Sequence, residues 1–163
     1  MIVAMLVAAA TVQAQAVKTA GKPKVTEVVT DHIKIRHENE VDTKPGGLVS
    51  FVVDIEPRPG MHVYAPGAAD YQIITLALDE HVRVRPRPLK YPASEIYDFR
   101  PLNEKIPVYQ KPFTLTLDAV VKKAAEPLAV TGRLDYQACD DKVCFAPVSV
   151  ALSWTVPPDS SVK

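Results

Sequence analysis

The sequence predicts an all-β fold, a β-sandwich, on three observations. Proline is abundant, at 15 of 163 residues, and glycine is scarce, at 6. Prolines spread at this density interrupt long helices, because each removes a backbone donor and clashes with the preceding turn. Short apolar runs rich in β-branched residues recur between turn residues, and no convincing 3.6-residue periodicity accompanies them. The sequence therefore predicts about eight short strands packed as a sandwich.

The predicted strands follow one another at regular spacing. They are expected at 25–35, 48–55, 61–64, 71–78, 82–85, 113–121, 128–138 and 148–156. The stretch 86–112 is dense in proline, and we expect long, irregular connections there. The last two strands alternate most clearly: Leu134 and Tyr136 lie between polar neighbours, and the same pattern places Trp154 on an apolar face. One face of each of these strands is expected to be buried and the other wet.

The N-terminus is expected to be a secretory signal. Residues 1–16 are apolar and end in the small-x-small pattern Ala14-Gln15-Ala16, although no basic residue precedes Lys18. The apolar stretch is too short for a comfortable membrane span, and no later stretch qualifies. We therefore expect an exported protein, periplasmic or secreted, with no membrane span in the mature chain. The expected organisation is a signal peptide at 1–16, a linker at 17–23, one domain at 24–158 and a tail at 159–163.

Composition limits the kinds of partner. The chain has 19 basic and 19 acidic residues, and neither sign forms a long run. Binding to nucleic acid requires a basic face that neutralises phosphates, so nucleic acid is not an expected partner. Hydrophobic residues make up 47% of the chain, which is enough for a core in one domain of ordinary size.

The only two cysteines, Cys139 and Cys144, flank the tip of the hairpin predicted between the last two strands. In an oxidising compartment, two cysteines close in sequence are expected to pair. One interpretation is a structural staple, although a loop of about six residues gives only about 2 kcal/mol. The other is thiol–disulfide exchange, which needs the access that a loop tip provides. The residues themselves leave both interpretations open.

Charges next to the cysteines do not favour a reactive thiolate. Asp140 and Asp141 outweigh Lys142, and no histidine is adjacent in the sequence. Negative neighbours disfavour a second negative charge, so we expect the pair to react slowly alone and mainly within a complex.

A metal site is the remaining chemical alternative. The four histidines (His32, His37, His62 and His81) are scattered and have no tight ligand spacing with one another or with the cysteines. Structural zinc sites typically have such spacing, so we expect neither a metal nor a cofactor.

The residues around the cysteines resemble a known family. Residues 134–139 carry Tyr-Gln-x-Cys and residues 144–147 carry Cys-x-x-Pro, before the strand at 148–156. This pattern resembles the N-terminal periplasmic domains of the thiol:disulfide interchange proteins, the DsbD family. The resemblance extends to 60–64, where the family has a strand with aromatic residues near the cysteines. It extends also to 91–109, where the family has a cap loop over the disulfide, and together it covers most of 24–157.

The resemblance implies an immunoglobulin-like fold and a cysteine pair that relays electrons. Cys144 corresponds to the cysteine that forms a mixed disulfide with partners, and Cys139 to the resolving thiol. The implied partners are a thioredoxin-like electron donor and disulfide-bearing acceptors, such as disulfide isomerases and cytochrome-maturation proteins.

The resemblance also identifies residues around the pair. Phe99, after Asp98, is the candidate for the cap phenylalanine that shields the sulfurs, and the alternative is an ordinary core or loop aromatic. Tyr64 matches an aromatic residue near the pair, and His62 stands where the family often has another. Ordinary packing is the simpler explanation for Tyr64, and we do not expect His62 to be a proton shuttle.

Two departures from the family pattern affect the interpretation. Four residues separate the cysteines, one fewer than in the best-known members, which alters the loop but not the chemistry. The resemblance covers one domain of the family only, so we expect a chain without the membrane and thioredoxin-like domains and therefore a separate electron donor. The alternative is a non-enzymatic immunoglobulin-like interaction module whose disulfide stays closed.

Overall fold

The structure is a computed structural model that describes residues 24–99, 103–122 and 124–159. The expected signal peptide and linker, and the tail from residue 160, lie outside these ranges. The described chain forms the strands β1 Val25–Val29, β2 Ile33–Glu38, β3 Thr43–Lys44, β4 Leu48–Pro57, β5 His62–Tyr64, β6 Thr75–Leu78, β7 Val84–Pro86, β8 Glu95–Phe99, β9 Glu104–Tyr109, β10 Phe113–Val121, β11 Leu128–Tyr136, β12 Ala138–Cys139 and β13 Val148–Val156. Its one helical element is a 3-10 turn at Pro45–Gly47.

The described strands form three antiparallel sheets. The first has the order β1-β2-β4-β10-β7, with β3 also paired to β4. The second has the order β13-β11-β6, and the third β12-β5-β9-β8. This all-β arrangement is the predicted immunoglobulin-like sandwich.

The core lies between the first sheet and the other two. Along β4, Phe51 and Val53 are fully buried while Val52 between them is exposed, because successive side chains of a strand point to opposite faces. The ring of Phe51 meets that of Trp154 of β13 edge-on, with centroids 5.1 Å apart. Leu134 and Tyr136 of β11 are also fully buried, as the alternation of that strand predicts.

The predicted segments 25–35 and 86–112 differ clearly from the observed elements. The first predicted strand is divided into β1 and β2 by a turn in which the Thr30 hydroxyl accepts the Ile33 amide at 3.0 Å. Within 86–112, β8 and β9 form a hairpin with Glu95 opposite Val108. Pro107 is tolerated in β9, where its carbonyl still accepts the Ala65 amide at 3.0 Å. We call residues 95–109 the cap hairpin; residues 100–102 lie outside the described ranges.

The chain changes sheets just before the first cysteine. β11 ends at Tyr136 in the second sheet, and β12 then pairs with β5 in the third, with Cys139 opposite His62. Cys144 makes an isolated antiparallel bridge to Cys139. The cysteine pair therefore lies at one edge of the third sheet, and the cap hairpin forms the other.

Candidate redox site

Cys139 and Cys144 are joined in a disulfide. Their Cα atoms are 4.1 Å apart, the separation typical of directly opposed, non-hydrogen-bonded residues in an antiparallel pair. The two halves of the bond have different surroundings: Cys139 is only 1% exposed, whereas Cys144 is an exposed residue. A reagent in solution therefore meets the bond from the Cys144 side.

The loop between the cysteines is held by Asp140. Its carboxylate accepts the backbone N–H groups of Lys142 and Val143, both at 2.7 Å. The Asp140 amide in turn donates to the Val143 carbonyl at 3.0 Å. The two accepted N–H groups hold the pKa of Asp140 below its ordinary value. This carboxylate therefore fixes a tight turn that presents Cys144 at the surface.

Tyr64 contacts both sulfurs. Its hydroxyl lies 2.8 Å from Cys139 Sγ and 3.2 Å from Cys144 Sγ. Disulfide sulfurs carry no hydrogen, so the Tyr64 hydroxyl is the donor. Burial raises the pKa of Tyr64 well above its ordinary value, so this donor keeps its proton at neutral pH. Tyr71 stacks on Tyr64 with centroids 4.1 Å apart and donates its hydroxyl to Glu104 at 3.1 Å.

His62 is brought to the cysteines by strand pairing. It lies opposite Cys139 in the β5–β12 ladder and is only 2% exposed. Its ring centroid is 4.6 Å from that of Tyr97 and 5.6 Å from that of Tyr64. Burial lowers the pKa of His62, and Asp141 and Asp140 oppose this effect. The cysteine pair therefore has a histidine neighbour that proximity in the sequence does not reveal.

The cap hairpin covers the site with alternate residues. Tyr97 and Phe99 pack toward the cluster formed by Tyr64, Cys139 and neighbouring apolar residues, and Asp98 between them is exposed on the opposite face. The Tyr97 hydroxyl donates to Asp141 at 2.7 Å, which ties the hairpin to the cysteine loop. A cleft of about 310 Å³, open solvent included, remains between the two.

The structure thus brings most of the sequence-predicted residues together. Both cysteines, His62, Tyr64 and Phe99 line this cleft, whereas Asp98 does not. Sequence analysis missed Tyr71 and Tyr97, which also line it. Tyr97 could have been found, because residues two apart on a strand share a face and Phe99 was already a candidate. No sequence signal identifies Tyr71.

The other histidines lie elsewhere. The ring of His32 packs on Phe145 at 4.5 Å, that of His37 on Trp154 at 5.2 Å, and His81 is exposed. In the part of the chain that the structure describes, no three His, Cys, Asp or Glu residues are placed to share a metal ion. The same residues include no helix with the length and apolarity to cross a membrane.

The depressed pKa of His62 predicts a specific dependence of stability on pH. The unfolded chain takes up this proton near pH 6.5, whereas the folded protein does so only at lower pH. Unfolding then binds protons, so this part of the stability is present above about pH 6.5 and is lost as the pH falls through the folded pKa. We expect the unfolding free energy of the wild type to fall more steeply between pH 7 and 5 than that of His62→Phe. Urea unfolding at several pH values measures both, and parallel curves would contradict the prediction.

The fold and the site define a class: immunoglobulin-like domains that carry a disulfide at a sheet edge beneath an aromatic cap. The sequence identifies the family within this class. Residues 30–153 match the family model described as thiol:disulfide interchange protein DsbD, N-terminal, and the chain belongs to this family. No curated protein matches the chain in a sequence comparison.

A solved structure shows the same fold at low sequence identity. The N-terminal periplasmic domain of ScsB from Proteus mirabilis superposes with a TM-score of 0.61 at 13% identity, over 86% of this chain and 55% of that one. The chain thus spans about half of the ScsB structure. The reduced N-terminal domain of DsbD from Neisseria meningitidis gives a TM-score of 0.48 at 18% identity, over 73% of this chain and 87% of that one.

Proposed function

We propose that this domain relays electrons from a thioredoxin-like donor to disulfide-bearing acceptor proteins outside the cytoplasm. The observation that carries the proposal is the asymmetry of the disulfide: Cys144 is exposed, and Cys139 is buried beneath the hydroxyl of Tyr64. Exchange needs one sulfur that a thiolate can approach and a leaving sulfur whose developing charge is stabilised. Membership of the DsbD N-terminal family supports the same chemistry.

Reduction of the domain takes two steps. A thiolate of the donor attacks Cys144 Sγ; the Cys139–Cys144 bond breaks, and Cys139 leaves as a thiolate that then takes up a proton. The second thiol of the donor, as a thiolate, attacks the donor's own sulfur in the mixed disulfide; Cys144 leaves as a thiolate and takes up a proton. Two electrons and two protons have then passed to the domain, and the donor has become a disulfide.

Oxidation of the domain reverses this order on an acceptor. The Cys144 thiolate attacks one sulfur of the acceptor disulfide and displaces the other as a thiolate. Cys139 then attacks the mixed disulfide, which restores the Cys139–Cys144 bond and leaves the acceptor as a dithiol. In this scheme Cys144 is the residue that joins partners, and Cys139 is the resolving thiol.

The cap hairpin limits which partners react. Phe99 and Tyr97 cover the cleft, and the hydrogen bond from Tyr97 to Asp141 must break before the hairpin can move aside. A partner whose surface replaces these contacts opens the cap, and small oxidants gain little access. The scheme places the mature domain in the periplasm or outside the cell, after removal of residues 1–16.

Trapping of the mixed disulfide tests the proposal. In Cys139→Ser, the Cys144 thiolate attacks a thioredoxin-like protein that lacks its resolving cysteine and whose remaining cysteine carries a small thiol in a mixed disulfide; the small thiol leaves as a thiolate. We expect a stable mixed disulfide in high yield, seen on a non-reducing gel. The matched variant Cys144→Ser leaves only the buried thiol and is expected to trap little.

Equal trapping by the two variants would contradict the assigned roles. The reduction potential separates the relay from a permanently closed structural disulfide. We expect a value near those of thioredoxin-like proteins, about −270 to −120 mV. A value below about −300 mV would mean a structural disulfide in an interaction module and would end the relay proposal.

A further inference from the structure

We propose that Cys144 lies on an open sheet edge and that a partner docks there by pairing an extended backbone segment with Cys144 and Ala146. This inference rests on the proposed function, because the partner is the protein whose cysteine exchanges with Cys144. It adds a second recognition element beside the sulfur: the backbone of the same residue.

The hydrogen bonds around the disulfide set the direction of the Cys144 backbone. The Phe145 amide donates to the Ala138 carbonyl at 2.9 Å, and the Asp140 amide donates to the Val143 carbonyl at 3.0 Å. These two bonds flank the bridge on either side, so the cysteines are a non-hydrogen-bonded pair. In such a pair, the N–H and C=O of each residue point away from the opposing segment.

The two sides of the bridge differ in what these outward groups meet. On the Cys139 side lies β5, which pairs with β12. On the Cys144 side, no residue in the described ranges bonds the Cys144 N–H or C=O. Ala146, two residues further along, also has no backbone hydrogen bond to the described chain, and both residues are exposed. The third sheet therefore ends in a short open edge that includes the exposed cysteine.

This edge is held in place from behind. The Phe145 ring packs on His32 with centroids 4.5 Å apart, and the Gln137 side chain donates to the Phe145 carbonyl at 3.0 Å. Unpaired backbone groups on a rigid edge are a template for a further strand. Two residues of pairing are too few to hold a partner by themselves, so the contact is useful only together with the exchange reaction. It would orient the partner segment that carries or flanks the attacking cysteine.

The occupant we infer is an extended segment of a dithiol protein, because the reacting sulfur and the open backbone groups belong to the same residue. The alternative occupant is a second copy of this chain, edge to edge. If two copies paired edge to edge, the protection of the Cys144 and Ala146 amides from exchange would rise with the concentration of the free protein.

Amide hydrogen exchange in a defined adduct tests the inference. In the full-length Cys139→Ser chain, Cys144 is activated chemically and joined to a thioredoxin that keeps only its nucleophilic cysteine. The control is the same chain carrying 2-mercaptoethanol on Cys144, which has no backbone to pair. We expect the Cys144 and Ala146 amides to exchange at least about 10-fold more slowly in the protein adduct. The Phe145 amide, already bonded to Ala138, should change little.

Equal exchange rates in the two adducts would overturn the inference, as would protection in the unmodified protein that rises with its concentration. Because Cys144 is activated chemically, the adduct forms even if the Cys139–Cys144 disulfide does not exchange with partners. The exchange rates in the adducts are therefore independent of the trapping experiment. Cys139→Ala serves in place of Cys139→Ser should a serine hydroxyl destabilise the buried position.

A backbone substitution gives a kinetic test. Ala146 precedes Pro147, and a residue before proline favours an extended backbone. A proline at position 146 is compatible with such a backbone. Ala146→Pro removes one open N–H, so we expect reduction by a protein dithiol to slow about 5-fold while reduction by dithiothreitol is unchanged. A loss that is the same for both reductants would contradict a docking role for this edge.

Discussion

Replacing Tyr64 with phenylalanine is expected to slow reduction of the Cys139–Cys144 disulfide about 10- to 100-fold. The Tyr64 hydroxyl lies 2.8 Å from Cys139 Sγ, the sulfur that leaves as a thiolate when Cys144 is attacked. A hydrogen bond to a charged group is worth about 1.5–3 kcal/mol, and each 1.4 kcal/mol is a factor of ten in rate. The loss of this donor leaves the developing charge in a buried, largely apolar site. The rate is measured with dithiothreitol under pseudo-first-order conditions.

Tyr109→Phe is the matched control for Tyr64→Phe. Tyr109 is also buried, at 4% exposed, and its hydroxyl donates to the Pro92 carbonyl at 2.9 Å, away from the sulfurs. We expect this control to reduce at the wild-type rate. If Tyr64 stabilises the thiolate of Cys139, the pKa of the Cys139 thiol should be higher in reduced Tyr64→Phe than in the reduced wild type. A merely structural role of Tyr64 would not produce this difference. Equal rates for wild type and Tyr64→Phe would remove the tyrosine from the mechanism.

Gly132→Ala is expected to destabilise the domain by about 3 kcal/mol. A Cβ at this position of β11 would meet the Ala77 carbonyl oxygen at 2.4 Å and the Leu78 Cα at 3.1 Å. Both contacts are with the backbone of β6, the strand paired with β11, so no side chain can turn away to relieve them. β11 leads directly into the strand that carries Cys139, and separation of β6 from β11 disturbs the base of the redox site. Denaturant unfolding measures the loss.

Gly60→Ala measures the cost of backbone strain alone, without the steric contact that is expected in Gly132→Ala. Gly60 has a φ of +81°, but a Cβ there meets nothing within 4 Å. The left-handed conformation alone costs a non-glycine residue about 1–2 kcal/mol. We therefore expect the smaller loss for Gly60→Ala. An equal or larger loss at Gly60 would show that β6 and β11 can move apart at little cost.

The strands whose two faces differ most in polarity were predicted most closely. The predicted strands 113–121 and 148–156 coincide with β10 and β13. The predicted strand 71–78 begins only at Thr75, because Tyr71 turns away to stack on Tyr64. The resemblance placed a cap loop at 91–109, but the pairing of β8 with β9 was missed, because local proline content predicts irregular structure whereas this pairing depends on contacts across the chain. The alternation of apolar and polar residues along a strand predicts which face of the strand is buried, but not which strand pairs with it.

The site was predicted in part for the same reason. The cysteines stand close together in the sequence, so their pairing could be expected from the sequence alone. The contacts of Cys139 with residues 75 and 77 positions earlier in the chain, Tyr64 and His62, follow from the β5–β12 pairing. The absence of an adjacent histidine in the sequence therefore did not describe the surroundings of the pair in space.

The sequence by itself determined the class of fold, the disulfide and the family. Strand periodicity and the spacing of two cysteines are local properties, which do not depend on the tertiary contacts of the chain. The tertiary structure decided which cysteine is exposed, which hydroxyl contacts both sulfurs and which backbone groups at Cys144 have no hydrogen bond to the described residues. These properties depend on the order of strands in a sheet and on how a hairpin folds over it. Residues far apart along the chain determine the strand order and the position of the hairpin. Every sequence can form backbone hydrogen bonds, so side-chain packing decides which strands pair.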